Sequence, residues 1–339
     1  MKRRIIQITL AVLIAGGGLA LALRGLDFAA VTEALRQARR GWLLVTLVLL
    51  WFVLIARAAR WRLLLGCHVS LGDAFGLTNI GYLVNNLLPM RLGDAAKAVA
   101  AGLRSDGNLS PLAALSTVVV ERVLDLLTIV LLMIATLPFI VAGSLDNYRT
   151  GGLLSGAVAL GLCIALVLAA RYPEFWEKLA GRVFVFLHLP AADRWQARVG
   201  ELLEGLAPLR SLRGGVQLAG WSLVLWGLVV IGFQTLLYAF LPAPPALAGA
   251  VITWAAALGM MFPAPGGIGP YHAAVIQALT RVFDVPLAQA QAYAFVAHAL
   301  SYLLGVILGA AALLRWGLSF RQVVRQAQTL EAAEVESGR

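Results

Sequence analysis

The sequence predicts an all-α, polytopic membrane protein with about six full spans and two re-entrant helical hairpins arranged as an inverted repeat. Composition is the first reason. Of 339 residues, 60% are hydrophobic and 13% charged, against about 25% charged in an ordinary soluble domain. The second is continuity, since apolar stretches run from residue 5 almost to residue 316. The third is a pair of interruptions, Asn85-Asn86-Leu87-Leu88-Pro89-Met90-Arg91-Leu92-Gly93-Asp94 and Pro263-Ala264-Pro265-Gly266-Gly267-Ile268-Gly269-Pro270-Tyr271-His272. Each lies between apolar arms too short to be separate spans. Broken helices in hydrocarbon are tolerated only when buried in protein or lining a wet cavity. Gly/Pro breaks in corresponding positions of two halves therefore point to a binding site.

The full spans are expected at 5–23, 41–64, 111–142, 151–170, 216–240 and 288–315, which satisfy the roughly 20 apolar residues a span needs. Met1-Lys2-Arg3-Arg4 before the first resembles a signal-peptide start, with Ala20-Leu21-Ala22 as a cleavage-like site. The apolar run exceeds a typical signal core of about 7–15 residues, so a retained span is expected. Segment 24–40 reads as an interfacial helix, with Phe28, Val31, Leu35 and Ala38 at helical spacing. The hairpins fall at 72–104 and 246–284. With both termini cytoplasmic, the first hairpin enters from inside and the second from outside. Only Arg24, Arg36, Arg39, Arg40, Arg149 and Arg281 of the 27 Lys+Arg then lie outside, as the positive-inside bias requires. These elements make one transmembrane domain, 1–315, carrying a cytoplasmic amphipathic insertion at 171–214. In that insertion Trp195, Val199, Leu202 and Leu206 share a face, with Arg194, Arg198, Glu201 and Glu204 away from it. The polar cytoplasmic tail, 316–339, is expected to fray.

A net charge of +10 would suggest nucleic acid in a soluble protein. Here inside-positive loops and anionic lipid headgroups account for it, and no nucleic-acid partner is expected. Cys67 and Cys163 form no CxxC or Cys/His pattern, so no metal or other cofactor is expected and both read as packing residues. The nine tryptophans fall mostly near span ends, where an aromatic belt explains them.

Three constellations carry candidate chemistry. In the first hairpin Asn79, Tyr82 and Asn86 form a polar stripe, Pro89 stops the helix, and Gly93 with Asp94 starts the next. A half-helix N-terminus aimed into the membrane attracts anions, and Arg91 and Lys97 add full charge. Asn85, Asn86, Arg91, Asp94 and Lys97 are thus candidate headgroup ligands; the alternative is a loop whose Arg91, Lys97 and Arg104 touch anionic lipid. In the second hairpin Pro265, Gly266, Gly267 and Gly269 permit close backbone approach, Pro270 suits a first helical turn, and His272 follows. The third is Glu121-Arg122-Val123-Leu124-Asp125, where each charge costs ~2.5–3.5 kcal/mol at a span centre. Thr117, Glu121, Asp125 and Thr128 share a face, and Arg122 can pair with Asp125 at i, i+3. Arg122 reads as mainly structural; for Glu121 and Asp125 a salt-bridge network and a translocation pathway both stand. His298, one turn from Tyr302, reads as a buried, hydrogen-bonded histidine rather than a proton relay.

Asn-x-x-x-Pro-x-Arg-x-Gly-acid from Asn85 to Asp94, Glu-Arg-x-x-Asp from Glu121 to Asp125, and Pro-x-Pro-Gly-Gly-Ile-Gly from Pro263 to Gly269 together resemble the lysylphosphatidylglycerol synthase transmembrane-region family. The resemblance covers about residues 40–315 and implies a flippase-like protein of the inner (cytoplasmic) membrane of a prokaryote, which moves a phospholipid or lipid-linked headgroup. Members with a fused soluble synthase also make the aminoacyl lipid. No such domain lies within the residues up to Arg339, so translocation rather than synthesis is expected here. Asp94 and Lys97 stand where the family usually has Glu and Arg, keeping charge sign, while His272 stands for its Glu. The expected partners are membrane lipids with anionic or lipid-linked headgroups, and either further copies of the chain or a separate synthase. Two other functions compete: an intramembrane transferase using a lipid-linked donor, with Glu121, Asp125, His272 and His298 as acid/base groups, and a membrane scaffold for a synthase.

Overall fold

The structure is a computed structural model that describes residues 27–67, 69–88, 92–104, 111–141, 168–186, 210–262 and 264–337, with isolated positions elsewhere. Most of the expected spans 5–23 and 151–170, together with Arg91, Cys163 and most of the insertion's amphipathic face, lies outside the described residues. Within them the chain is helical, with no strand.

Helix α1 (Phe28–Gln37) starts at Asp27, whose carboxylate accepts the Ala29 and Ala30 N–H groups. Val31, Ala34 and Ala38 pack inward, whereas Phe28 and Leu35 are exposed, so the expected apolar face is split. Four helices are long and apolar enough to cross a membrane: α2 (Arg40–Leu64), most of α5 (Pro111–Val141), α7 (Leu212–Phe240) and α10 (Leu287–Trp316). Their outer faces expose Phe52, Val123, Leu223 and Ile307, large apolar side chains suited to lipid.

Two short helix pairs stand between these spans. Helix α3 (Leu71–Leu87) is followed by α4 (Gly93–Arg104), and α8 (Ala248–Met261) by a 3₁₀ turn (Pro265–Gly267) and α9 (Pro270–Val282). At roughly 1.5 Å per residue, none of the four arms reaches the roughly 30 Å of a hydrocarbon core. The first pair folds back on itself: Asp73 at the start of α3 pairs with Arg104 at the end of α4, at 3.2 Å. Its close approach needs Gly81 and Gly93, where a Cβ on either would collide with the facing backbone. In the second pair, a Cβ on Gly259 would lie 2.7 Å from the Pro270 carbonyl oxygen.

Packing follows a two-fold pattern. The two leading spans α2 and α7 pack together, and each also packs on the first arm of its own pair, α3 or α8. That first arm packs in turn on the closing span of the other half: α3 on α10, and α8 on α5. The polar stripe of α3 lies along α10, where a Cβ on Gly305 would sit 3.2 Å from Tyr82 Cβ and 3.4 Å from Asn86 Nδ2. Gly309 similarly faces the Asn79 carbonyl and Leu83.

Helix α6 (Pro173–Phe186) is what the structure describes of the insertion as continuous helix. The tail does not fray. Gly317 caps α10 at φ 62°, and Phe320–Ser337 forms helix α11 against α4. Its fully buried Val323 and Ala327 are one turn apart and supply an apolar stripe that the overall polarity conceals.

Candidate functional site

The buried charges form one connected cluster. Helix α5 turns Glu121 and Asp125 inward on the face that carries Thr117, while Val119, Val123 and Leu126 point outward. Lys97 Nζ of α4 lies 2.6 Å from one Glu121 oxygen, and Arg60 Nη2 of α2 lies 3.3 Å from the other. Arg60 Nη2 also donates to Asp125 at 2.6 Å, and Arg57 Nη1 donates to the second Asp125 oxygen at 3.1 Å. Arg60 and Glu121 are completely buried. Lys97 lies 3.8 Å from the Trp61 ring centroid, and Trp61 Nε1–H donates to the Thr117 hydroxyl. Trp61 is fully buried, which corrects the belt assignment for that residue.

Several expected roles change. Arg122 does approach Asp125, at 3.6 Å, but its principal partner is Asp94, which accepts from both Nε (3.1 Å) and Nη2 (2.8 Å). Asp94 therefore anchors α4 to α5, while the Asn85 Oδ1 accepts the Gly93 N–H at 2.8 Å. The start of α4 thus has an internal acceptor, and Lys97 is tied to Glu121 rather than standing free beside it. Cys67 is exposed in a left-handed turn at φ 61°, not a packing residue.

The breaks of the two halves meet. Asn86 Nδ2 donates to the Tyr302 carbonyl at 3.2 Å, and the Tyr302 hydroxyl donates to the Asn86 carbonyl at 3.1 Å. Gly266, Gly267 and Gly269 all have positive φ (57°, 72° and 96°), the region where a side chain is strained. Pro270 begins α9 with Gly269 as its cap, as expected. His272 closes this cap, its Nδ1 accepting the Gly269 N–H at 3.3 Å. A Glu at that third helical position fills the same role in a capping box, so the imidazole keeps the local function without the charge. The His272 ring stacks on His298, with centroids 4.7 Å apart and planes 11° apart.

Beside this junction lies a cavity of about 270 Å³. Its polar wall includes Tyr82, Asn86, Gly266, His298, Ser301 and Tyr302, and its apolar wall includes Leu50, Val53, Leu54 and Trp226. A smaller void of about 80 Å³ continues along α2 and α7 past Thr46, Val229 and Leu236. Asn86 and Gly266 thus reach one cavity, His272 stands behind it through His298, Asn85 holds the Gly93 N–H at the start of α4, and Asp94, Lys97, Glu121, Arg122 and Asp125 belong to the neighbouring ion network.

Arg57 and Arg60 were absent from the sequence-based site. They sit near the end of an apolar span, where the positive-inside rule absorbs any arginine. Their i, i+3 spacing facing the acids of another span was the available signal.

A polytopic helical bundle with matched helix breaks, a shared cavity and a buried ion cluster is an integral membrane protein whose polar centre lies inside the bundle. The chain belongs to the family described as the lysylphosphatidylglycerol synthase TM region, which matches residues 8–309. No curated protein and no solved structure matches it.

Proposed function

We propose that this protein is a lipid translocase, moving a phospholipid or lipid-linked headgroup across the cytoplasmic membrane. The observation that carries this reading is the cavity beside which Asn86 of the first broken pair is bonded to Tyr302 of α10 and the Gly266 turn of the second pair packs against both. In it, α3–α4 and α8–α9 are re-entrant hairpins entering from opposite sides, so that rocking one half against the other exposes the cavity to each leaflet in turn. Polar atoms of Tyr82, Asn86, His298 and Ser301 replace water around a headgroup in transit. No GxxxxGK[ST] segment occurs, so the driving force is a gradient, a partner or the lipid's own concentration difference.

Protein reconstituted in liposomes with a headgroup-labelled phospholipid tests this proposal. Loss of label protection in the inner leaflet, at a rate rising with protein content and without chemical change, is expected. Unchanged protection would sink it. A chemically altered lipid-linked donor would instead support a transferase, although Glu121 and Asp125 are each already engaged by buried cations.

A further inference from the structure

Helix α6 leaves one face without protein against it. The segment before it is helical through Arg171, and the Tyr172 N–H still donates to the Leu168 carbonyl at 2.9 Å. Pro173 then opens α6, whose 14 residues include Glu174, Glu177, Lys178 and Arg182, too short and too polar for a span. Its roll is fixed by the contacts it does make. Gly181 is buried against the Gln196 side chain, and a Cβ on Gly200 would lie 3.3 Å from the Glu177 carboxylate. Trp176 packs on the core cluster that holds Ala170, Leu203 and, from α4, Ala96 and Val99. The side turned away from these contacts is apolar. Tyr172, Phe175, Leu179, Val183 and Phe186 recur every three or four residues and are all exposed, Phe175 by 59% and Phe186 by 79%. A contiguous apolar face of that kind marks a docking surface.

Two observations choose its occupant. The same spacing runs back through Leu168 and Ile164, both exposed, into the segment expected as a span, so the stripe continues a surface that meets lipid. Arg171, Lys178 and Arg182, all exposed, follow one edge of the stripe, seven and four residues apart. Glu174 lies further round the helix and only 3.9 Å from Lys178. Apolar side chains edged by cations are what a helix at a bilayer interface requires, with the first among acyl chains and the second at phosphates. We infer that α6 is a lipid-docking helix: its Tyr172–Phe186 stripe enters the adjacent leaflet, and Arg171, Lys178 and Arg182 bind anionic headgroups at that surface. The Trp176 contact ties the docked helix to α4, so the leaflet braces the insertion against the first half of the bundle. This surface is separate from the central cavity and holds whether or not the bundle transports lipid.

Spin labels test this in full-length protein reconstituted in phosphatidylcholine vesicles with or without phosphatidylglycerol. Leu179→Cys and Val183→Cys each place a nitroxide on the stripe, and Glu174→Cys places one on a face turned from it, in a background lacking Cys67 and Cys163. With phosphatidylglycerol present, the stripe labels should collide freely with dissolved oxygen and be roughly threefold less accessible to a water-soluble nickel chelate than the Glu174 label. Omitting phosphatidylglycerol, or combining Lys178→Gln with Arg182→Gln, should raise nickel access at the stripe about twofold, whereas the charge-keeping Arg182→Lys should leave it unchanged. All these positions are exposed, and an unaltered thermal transition in detergent verifies the fold. Stripe labels as open to nickel as the Glu174 label would put this face in water and overturn the inference. Spectral broadening that disappears on dilution with unlabelled protein would assign the face to a second copy of the chain and overturn it equally. Shielding that responds neither to lipid charge nor to the two cations would overturn the binding of anionic headgroups.

Discussion

At the scale of single residues, Glu121 holds the most consequential position. It accepts from Lys97 and Arg60, both buried, so Glu121→Gln leaves two desolvated cations poorly paired. Breaking such a pair costs about 3–5 kcal/mol, and a fall in detergent thermal stability far beyond that of a surface Glu→Gln change checks this. His272 offers a finer test. Its Nδ1 accepts the Gly269 N–H, so His272→Gln should retain most stability while His272→Ala loses roughly 0.5–2 kcal/mol, the usual range for a lost cap. Equal losses would assign the histidine to ring stacking on His298. Gly266→Ala and Gly267→Ala should destabilise by about 1–2 kcal/mol through the left-handed backbone alone. Positive φ means that a transport defect there is read only after stability has been measured. The motif glycines and the acids of α5 were legible because each is out of place in an apolar run. Arg57 and Arg60 were not, since a span end excuses arginine.

At the scale of elements, fit between helices replaces polarity as the organising rule. The polar stripe of α3, Asn79, Tyr82 and Asn86, lies along α10, where Gly305 and Gly309 make room for it while Tyr82 and Asn86 also reach the cavity. Small residues four apart let spans approach closely, and that spacing was visible in the sequence although its partner was not. Gly309→Leu should therefore force α3 and α10 apart and abolish the Asn86–Tyr302 junction. An unchanged distance between probes on the two helices would refute this. The C-terminal helix was misjudged for a related reason. Two inward residues per two turns, Val323 and Ala327, suffice to dock a polar helix on α4, and averaged polarity hides so narrow a stripe.

At the scale of the whole molecule, orientation is a matter for labelling. A single cysteine near Arg104 should react only from the cytoplasm and one near Asp284 only from outside, in a background lacking Cys67 and Cys163. Reaction of both from one side would overturn opposed hairpins. The span–pair–span order of each half was legible from hydropathy and Gly/Pro breaks. The clasp between halves was not, because pairing of α3 with α10 is a long-range choice made by surfaces rather than by composition. That clasp sets a timetable for biogenesis. Asn86 finds Tyr302 across 216 positions of chain. At about 5–20 residues per second, the ribosome supplies the missing wall some 10–40 s after the first hairpin has emerged. Throughout that interval the Asn86 amide lacks the carbonyl it donates to in the finished fold, whereas Asn79 already donates to Phe75 within α3. The first helix pair is thus synthesised long before the span that completes its polar contacts, so its final packing is settled late in translation.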